Sequence, residues 1–187
     1  DPGRSILDGI AFLIPNLPIW AYRFWVRILF LIFNCLTAIF AIRRTFMYSQ
    51  MTGNRNIALR VLLTLLGMLF LLQGPVNYHV LAGILPILWL YDENRPIRNL
   101  IIIIVCSVWE GLCRVNWFMM PAVIAILMQV LRTPFPRNKF LHYIKWPLIF
   151  LISGGLTSFG IYWIYIEALG YAIPFLNPSM DYAFFLY

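Results

Sequence analysis

Long apolar runs alternate with short polar knots along the chain, and the runs are continuous rather than striped. A helix apolar on one stripe faces a core, whereas one apolar all round is buried or lies in lipid. Six runs stand out, at about residues 20–42, 57–73, 78–91, 99–113, 116–131 and 146–169. Each is bounded by chain breakers or charges: Arg43-Arg44, Gly53-Asn54-Arg55-Asn56, Gly74-Pro75, Asp92-Glu93-Asn94-Arg95-Pro96, and a basic stretch with Pro134 and Pro136. The pattern predicts an all-α fold, a polytopic transmembrane helical bundle of about six spans forming one membrane domain. Arg43-Arg44 is expected to stop the first span. Spans three to five are about 14 to 16 residues long against the roughly 20 that cross a hydrocarbon core, so they thin the bilayer or turn back at mid-depth. Residues 1–19 are apolar but punctuated by Pro2, Gly3, Gly9, Pro15 and Pro18, and read as an interfacial or re-entrant segment leading into span one.

The hairpin at 99–131 carries the densest polar knot, Trp109-Glu110-Gly111-Leu112-Cys113-Arg114-Val115-Asn116-Trp117. An acid, a base, an amide and two indoles are not needed to fill lipid. Ionisable groups at membrane depth cost a few kcal/mol each and normally face protein, water or a ligand.

Composition strengthens the membrane reading. The 187 residues are 62% hydrophobic, 17% aromatic and 11% charged, well below the roughly one-quarter charged share of soluble domains. The net charge of +7 would raise the question of nucleic acid in a soluble protein. Here the basic residues sit in the connections between apolar runs, so nucleic acid is not the expected partner. The lipid bilayer is, together with other membrane subunits. The chain starts at Asp1 with no charged leader and cleavage site, which reads as a piece of a longer chain. Three cysteines without a CxxC spacing, Cys35, Cys106 and Cys113, support neither a disulfide framework nor zinc, and act as small apolar side chains.

Charge bias sets an orientation. With loops 43–56, 92–98 and 132–145 in the cytoplasm of a multi-pass cell-membrane protein, Arg43, Arg44, Arg55, Arg60, Arg95, Arg98, Arg132, Arg137, Lys139 and Lys145 lie inside. That is ten of the fourteen basic residues, leaving Arg4, Arg23, Arg27 and Arg114 outside, as the positive-inside rule requires. Trp20, Tyr22 and Trp25 then fall in an aromatic belt, with Arg23 and Arg27 reaching towards headgroups.

Three segments converge on the outer side under this topology: the N-terminal stretch to Asp8, Gln73-Gly74-Pro75-Val76-Asn77-Tyr78-His79, and the knot. Glu110 and Arg114 are four residues apart, so on a helix they share a face. They either neutralise one another and close the hairpin, or Arg114 binds a phosphate or carboxylate while Glu110 positions it. Asn116 and Trp117 are suited to a sugar ring, an amide for hydroxyls and an indole for stacking, although interfacial tryptophans are commonly belt residues. His79 is either an interfacial polar group or a general base, since imidazole titrates near neutrality. No HExxH, P-loop, GxSxG or GxGxxG pattern occurs, and no metal site is expected. Gly154, Gly155 and Gly160 in the last span predict close helix packing.

The strings QGPVNYH and, about thirty-five residues on, WEGLCRVNWFMMPA resemble multi-pass bacterial membrane proteins of the glycosyltransferase-like GT-C type, over about 60 residues. Such enzymes transfer a sugar from a polyprenyl-phosphate donor and use acidic residues on outer loops as the base. The resemblance implies Asp8 as the base and Arg114 near the donor phosphate. On this reading Asp8 and Glu110 are the catalytic candidates, and Asn77, His79, Arg114, Asn116 and Trp117 line a water-accessible substrate cavity. The competing expectation is a non-catalytic structural subunit of a larger membrane complex, with the knot closed and no cavity.

Overall fold

The apolar runs wind into helices where the hydropathy pattern places them. A computed structural model of the protein describes residues 2–46, 54–73, 78–113, 117–132 and 140–168. Among these residues the structure is all-α, with seven α-helices, one 3-10 turn and no strand. The helices are α1 (Pro2–Gly9), α2 (Ile19–Phe46), α3 (Asn54–Gln73), α4 (Tyr78–Leu90), α5 (Pro96–Gly111), α6 (Met120–Arg132) and α7 (Phe140–Ala168), with the 3-10 turn at Ile10–Leu13.

Each of the six expected spans corresponds to one of α2 to α7, and the differences lie at their ends. Arg43-Arg44 does not stop α2, which runs on to Phe46. Arginine is a good helix former, and a positive charge in the last turn is favoured by the helix dipole. The last helix starts at Phe140 rather than 146, so part of the expected basic loop is helical and Pro147 lies inside α7. The fifth run becomes helical only at Met120, with Pro121 in its second position, where a missing N–H costs no helical bond. The N-terminal segment, expected to be interfacial or re-entrant, opens with α1. Asn16, at a φ of 59°, turns the chain from the 3-10 turn into α2, a conformation asparagine tolerates better than most residues.

Two helical stretches, Ile19–Thr45 and Tyr143–Ala168, are long and apolar enough to cross a membrane by length and composition. Ile57–Gln73, Tyr78–Leu90 and Met120–Leu131 are shorter apolar helices.

The helix directions follow from contacts at the two ends of the bundle. At one end the C-termini of α2 and α4 meet. The Arg44 guanidinium donates from Nε to Leu88 O at 2.6 Å and from a terminal nitrogen to Trp89 O, capping carbonyls that the end of α4 leaves without helical donors. The turn into α5 is latched there by Asn99, whose Nδ2 donates to Asp92 O at 2.7 Å and whose Oδ1 accepts from Asp92 N at 3.0 Å. At the opposite end α1 rests on the N-terminal halves of α2 and α4 and on the C-terminus of α5. Hence α2 and α4 run parallel and α5 runs against them.

The core lies between α4, α5, α6 and α7, and includes Ile84, Ile87, Ile103, Ala122, Ala125 and Phe150. Small residues let α7 close on its neighbours. A Cβ added at Gly154 would lie 3.0 Å from Ala122 Cβ, and one at Gly111 would lie 2.5 Å from the Ser158 carbonyl oxygen. Ser158 Oγ donates to Ser107 O at 2.8 Å, so α5 and α7 are joined by a hydrogen bond at their closest approach. Gly155 meets only Met119 Cε, at 3.5 Å, and Gly160 meets nothing within 4 Å, so the expected packing role holds for Gly154 and Gly155 and not for Gly160. Helix α3 packs chiefly on α2. Ile57, Val61, Leu62, Leu65, Leu69 and Phe70 along it are all more than half exposed.

Candidate functional site

Asp8, His79, Trp109 and Glu110 gather where α1 lies across α4 and α5. Helix α1 is tied down at several points. Gly3 N donates to Leu112 O at 2.9 Å, and the space a Cβ at Gly3 would need is taken by Cys113 Sγ. Trp25 Nε1 donates to Leu7 O at 3.1 Å, joining α1 to α2. Asp8, at the other end of α1, accepts a hydrogen bond from the Tyr78 hydroxyl and is approached by Arg4 Nε at 3.4 Å, one helical turn earlier.

Residues four apart on α1 thus make an ion pair whose acidic member is buried and whose basic member is half-exposed. The pair faces outwards from Arg4 and inwards from Asp8. Tyr78 is fully buried, so its hydroxyl is satisfied by the carboxylate of a different helix. That is the arrangement a buried phenol requires.

A second layer lies below. Trp109 Nε1 donates to His79 O at 2.7 Å, and Cys113 Sγ lies 3.9 Å from the same oxygen. The His79 ring meets the Tyr78 ring edge-on at 5.7 Å. Glu110 projects from the last turn of α5 against Gly83 of α4, where an added Cβ would overlap Oε1 and lie 3.0 Å from Cδ. Gly83 is therefore the notch that admits the carboxyl between the two helices. Neither carboxyl oxygen of Glu110 has a hydrogen-bond partner among the described residues. Exposure decides what this layer can do: Asp8 is 8% exposed, His79 1% and Glu110 0%.

Of the seven candidate residues, the structure brings Asp8, His79 and Glu110 to one end of the bundle. Trp117 is half-buried and packs against the core. Asn77, Arg114 and Asn116 lie outside the described residues, and so does the expected Glu110–Arg114 pair. The three described polar candidates are buried, and the other polar residues of the expected water-accessible cavity lie outside the described residues. Helix α1 lies over this end of the bundle, with Gly3 tight against Cys113, and the Glu110 carboxyl fills the notch at Gly83. Sequence reasoning missed Tyr78, Gly83 and Gly3, and placed Trp109 in the knot without a role. The signal for Gly83 was present, since glycine in an apolar helix marks a close approach. Tyr78 and Trp109 carry no such signal, because their partners are far away in sequence.

Open space occurs elsewhere. A cavity of about 550 Å³ between α1 and α2 is lined by Arg4, Tyr22, Arg23, Val26 and Arg27. One of about 300 Å³ at the opposite end includes Arg44, Asp92, Glu93 and Arg98. Among the described residues, no three of His, Cys, Asp and Glu gather where they could hold a metal ion. Comparison with protein-family models, with curated proteins and with solved structures returns no match.

Proposed function

We propose that the chain is a polytopic membrane protein acting as a non-catalytic structural subunit of a larger membrane assembly. The observation that carries the reading is the sealing of the polar layer. A general base must reach its proton directly or through one water, and His79 and Glu110 are closed off from any substrate. Their contacts instead join α4 and α5, and the Tyr78–Asp8 hydrogen bond ties α1 to the same end. The apolar surface of α3 supports the membrane part, because a helix apolar all round and more than half exposed has no stable place in water. On this reading the six helices α2 to α7 alternate across the bilayer, with Arg44, Arg95 and Arg98 at the cytoplasmic end and α1 at the outer end. The full chain purified in mild detergent is expected to hold a defined complex larger than its own 21.9 kDa. A lone, monodisperse monomer by light scattering contradicts the subunit role.

A second reading, a GT-C-like transferase using a polyprenyl-phosphate-linked sugar at the outer face, is favoured by one feature. Two carboxyls, Asp8 and Glu110, lie at the same end of the bundle, and the oxygens of Glu110 are unmet among the described residues. It requires α1 to lift. Sugar transfer from a lipid-linked donor that Asp8→Asn abolishes while the fold survives supports this reading, and transfer unchanged by Asp8→Asn excludes Asp8 as its base.

A further inference from the structure

The charge bias of the sequence leaves four basic residues away from the basic loops, Arg4, Arg23, Arg27 and Arg114. The structure gathers three of them around one cavity. Arg23 and Arg27 are one turn apart on α2 and share its face with Tyr22 and Val26, while Arg4 reaches the same space from α1. Arg4 is partly engaged by Asp8. Among the described residues Arg23 and Arg27 have no acidic partner, and like charges one turn apart on a helix repel. Three guanidinium groups around an open cavity of about 550 Å³ make a site in want of an anion.

The rim adds an independent indication of what that anion is attached to. Phe12 stacks on Tyr22, a lining residue, at 5.0 Å and is 66% exposed, and Leu13, next to it in the chain, is 82% exposed. A small soluble anion needs the cations alone. Guanidinium groups bordered by exposed aliphatic and aromatic side chains match a molecule with a phosphate head and apolar tails.

We propose that the cavity between α1 and α2 is a phosphate-binding site for an anionic amphiphile, held by Arg23 and Arg27 with Arg4 closing it from α1. The site stands on this geometry whether or not the chain is catalytic. Bound phosphate would neutralise the arginines that the α1–α2 junction brings together, and would fasten α1 over the buried layer beneath it.

The test uses the purified full chain in a neutral detergent, titrated with fluorescent short-chain phosphatidylglycerol and, separately, with the matching phosphatidylcholine. Phosphatidylglycerol is expected to bind about tenfold more tightly or better, and the double variant Arg23→Gln/Arg27→Gln to lose that margin. Arg98→Gln, at the far end of the bundle, should leave it unchanged. Inorganic phosphate added in competition separates the sources of the ligand. Displacement at millimolar concentration points to a soluble phosphate, and no displacement points to the lipid headgroup. Equal binding of the two lipids, or full binding by the double variant, overturns the site. Should the double variant fold poorly, the wild-type melting temperature decides. A rise with phosphatidylglycerol alone supports the proposal, and equal rises with both lipids contradict it.

Discussion

Asp8, Tyr78, His79 and Glu110 are buried at one end of the bundle, with Trp109 hydrogen-bonded beside them. Tyr78 and Asp8 are 70 positions apart, and each meets its hydrogen-bonding need through the other. Removing the hydroxyl strands a buried carboxylate oxygen, so Tyr78→Phe should cost about 1–3 kcal/mol of stability. A thermal melt in detergent measures it, and Asp8→Asn should be additive with Tyr78→Phe only if the two do not interact. Gly83 and Glu110 are coupled in another way. Gly83→Ala pushes a methyl into the carboxyl and should destabilise by about 1–3 kcal/mol, a loss that Glu110→Ala should largely relieve in the double variant. Independent, additive losses in that cycle would mean the carboxyl does not occupy the Gly83 notch.

At the scale of elements, the glycines of α5 and α7 form a graded series. Gly111 faces a backbone oxygen at 2.5 Å, Gly155 a methionine methyl at 3.5 Å, and Gly160 open space. Alanine at these positions is expected to destabilise by about 1–3 kcal/mol at Gly111, to be near neutral at Gly155, and to stabilise by up to about 1 kcal/mol at Gly160. Melting of the three variants checks the order, and equal effects would deny the close crossing of the two helices. The Arg44 cap is a similar contact between elements. Arg44→Ala should speed amide exchange in the last turn of α4 while leaving α6 unaffected, because the carbonyls of Leu88 and Trp89 lose their donor.

The elements also show what a sequence can reveal. The helices were legible because hydropathy changes abruptly at Gly74-Pro75, Asp92–Pro96 and the Pro134–Pro136 stretch. Their ends were less so, since arginine, lysine and proline are tolerated inside a helix when the dipole or a neighbour favours it, as at Arg43-Arg44 and Pro147. The convergence of Asp8, His79 and Glu110 at one end followed from counting spans. Its closed character did not, because it depends on Gly3 and Gly83 admitting Cys113 and Glu110. Such contacts link distant positions and leave no local pattern beyond a glycine in an apolar run.

For the molecule as a whole, the parallel pair α2 and α4, with α5 against them, puts Arg44, Arg95 and Arg98 at one end and α1 with its buried layer at the other. Between these ends lie exposed apolar faces, α3's above all, which on the proposed reading lipid or neighbouring helices cover. Sealed vesicles of known sidedness test this arrangement through single cysteines, in a background where Cys35, the partly exposed native thiol, is alanine. The positions are Leu13→Cys, beside α1, and Asn94→Cys, in the turn between α4 and α5. The account predicts that an impermeant thiol reagent modifies the Leu13 position from outside and reaches the Asn94 position only after the vesicles are opened. Labelling of both from the same side, or release of the whole chain by alkaline carbonate, would contradict it.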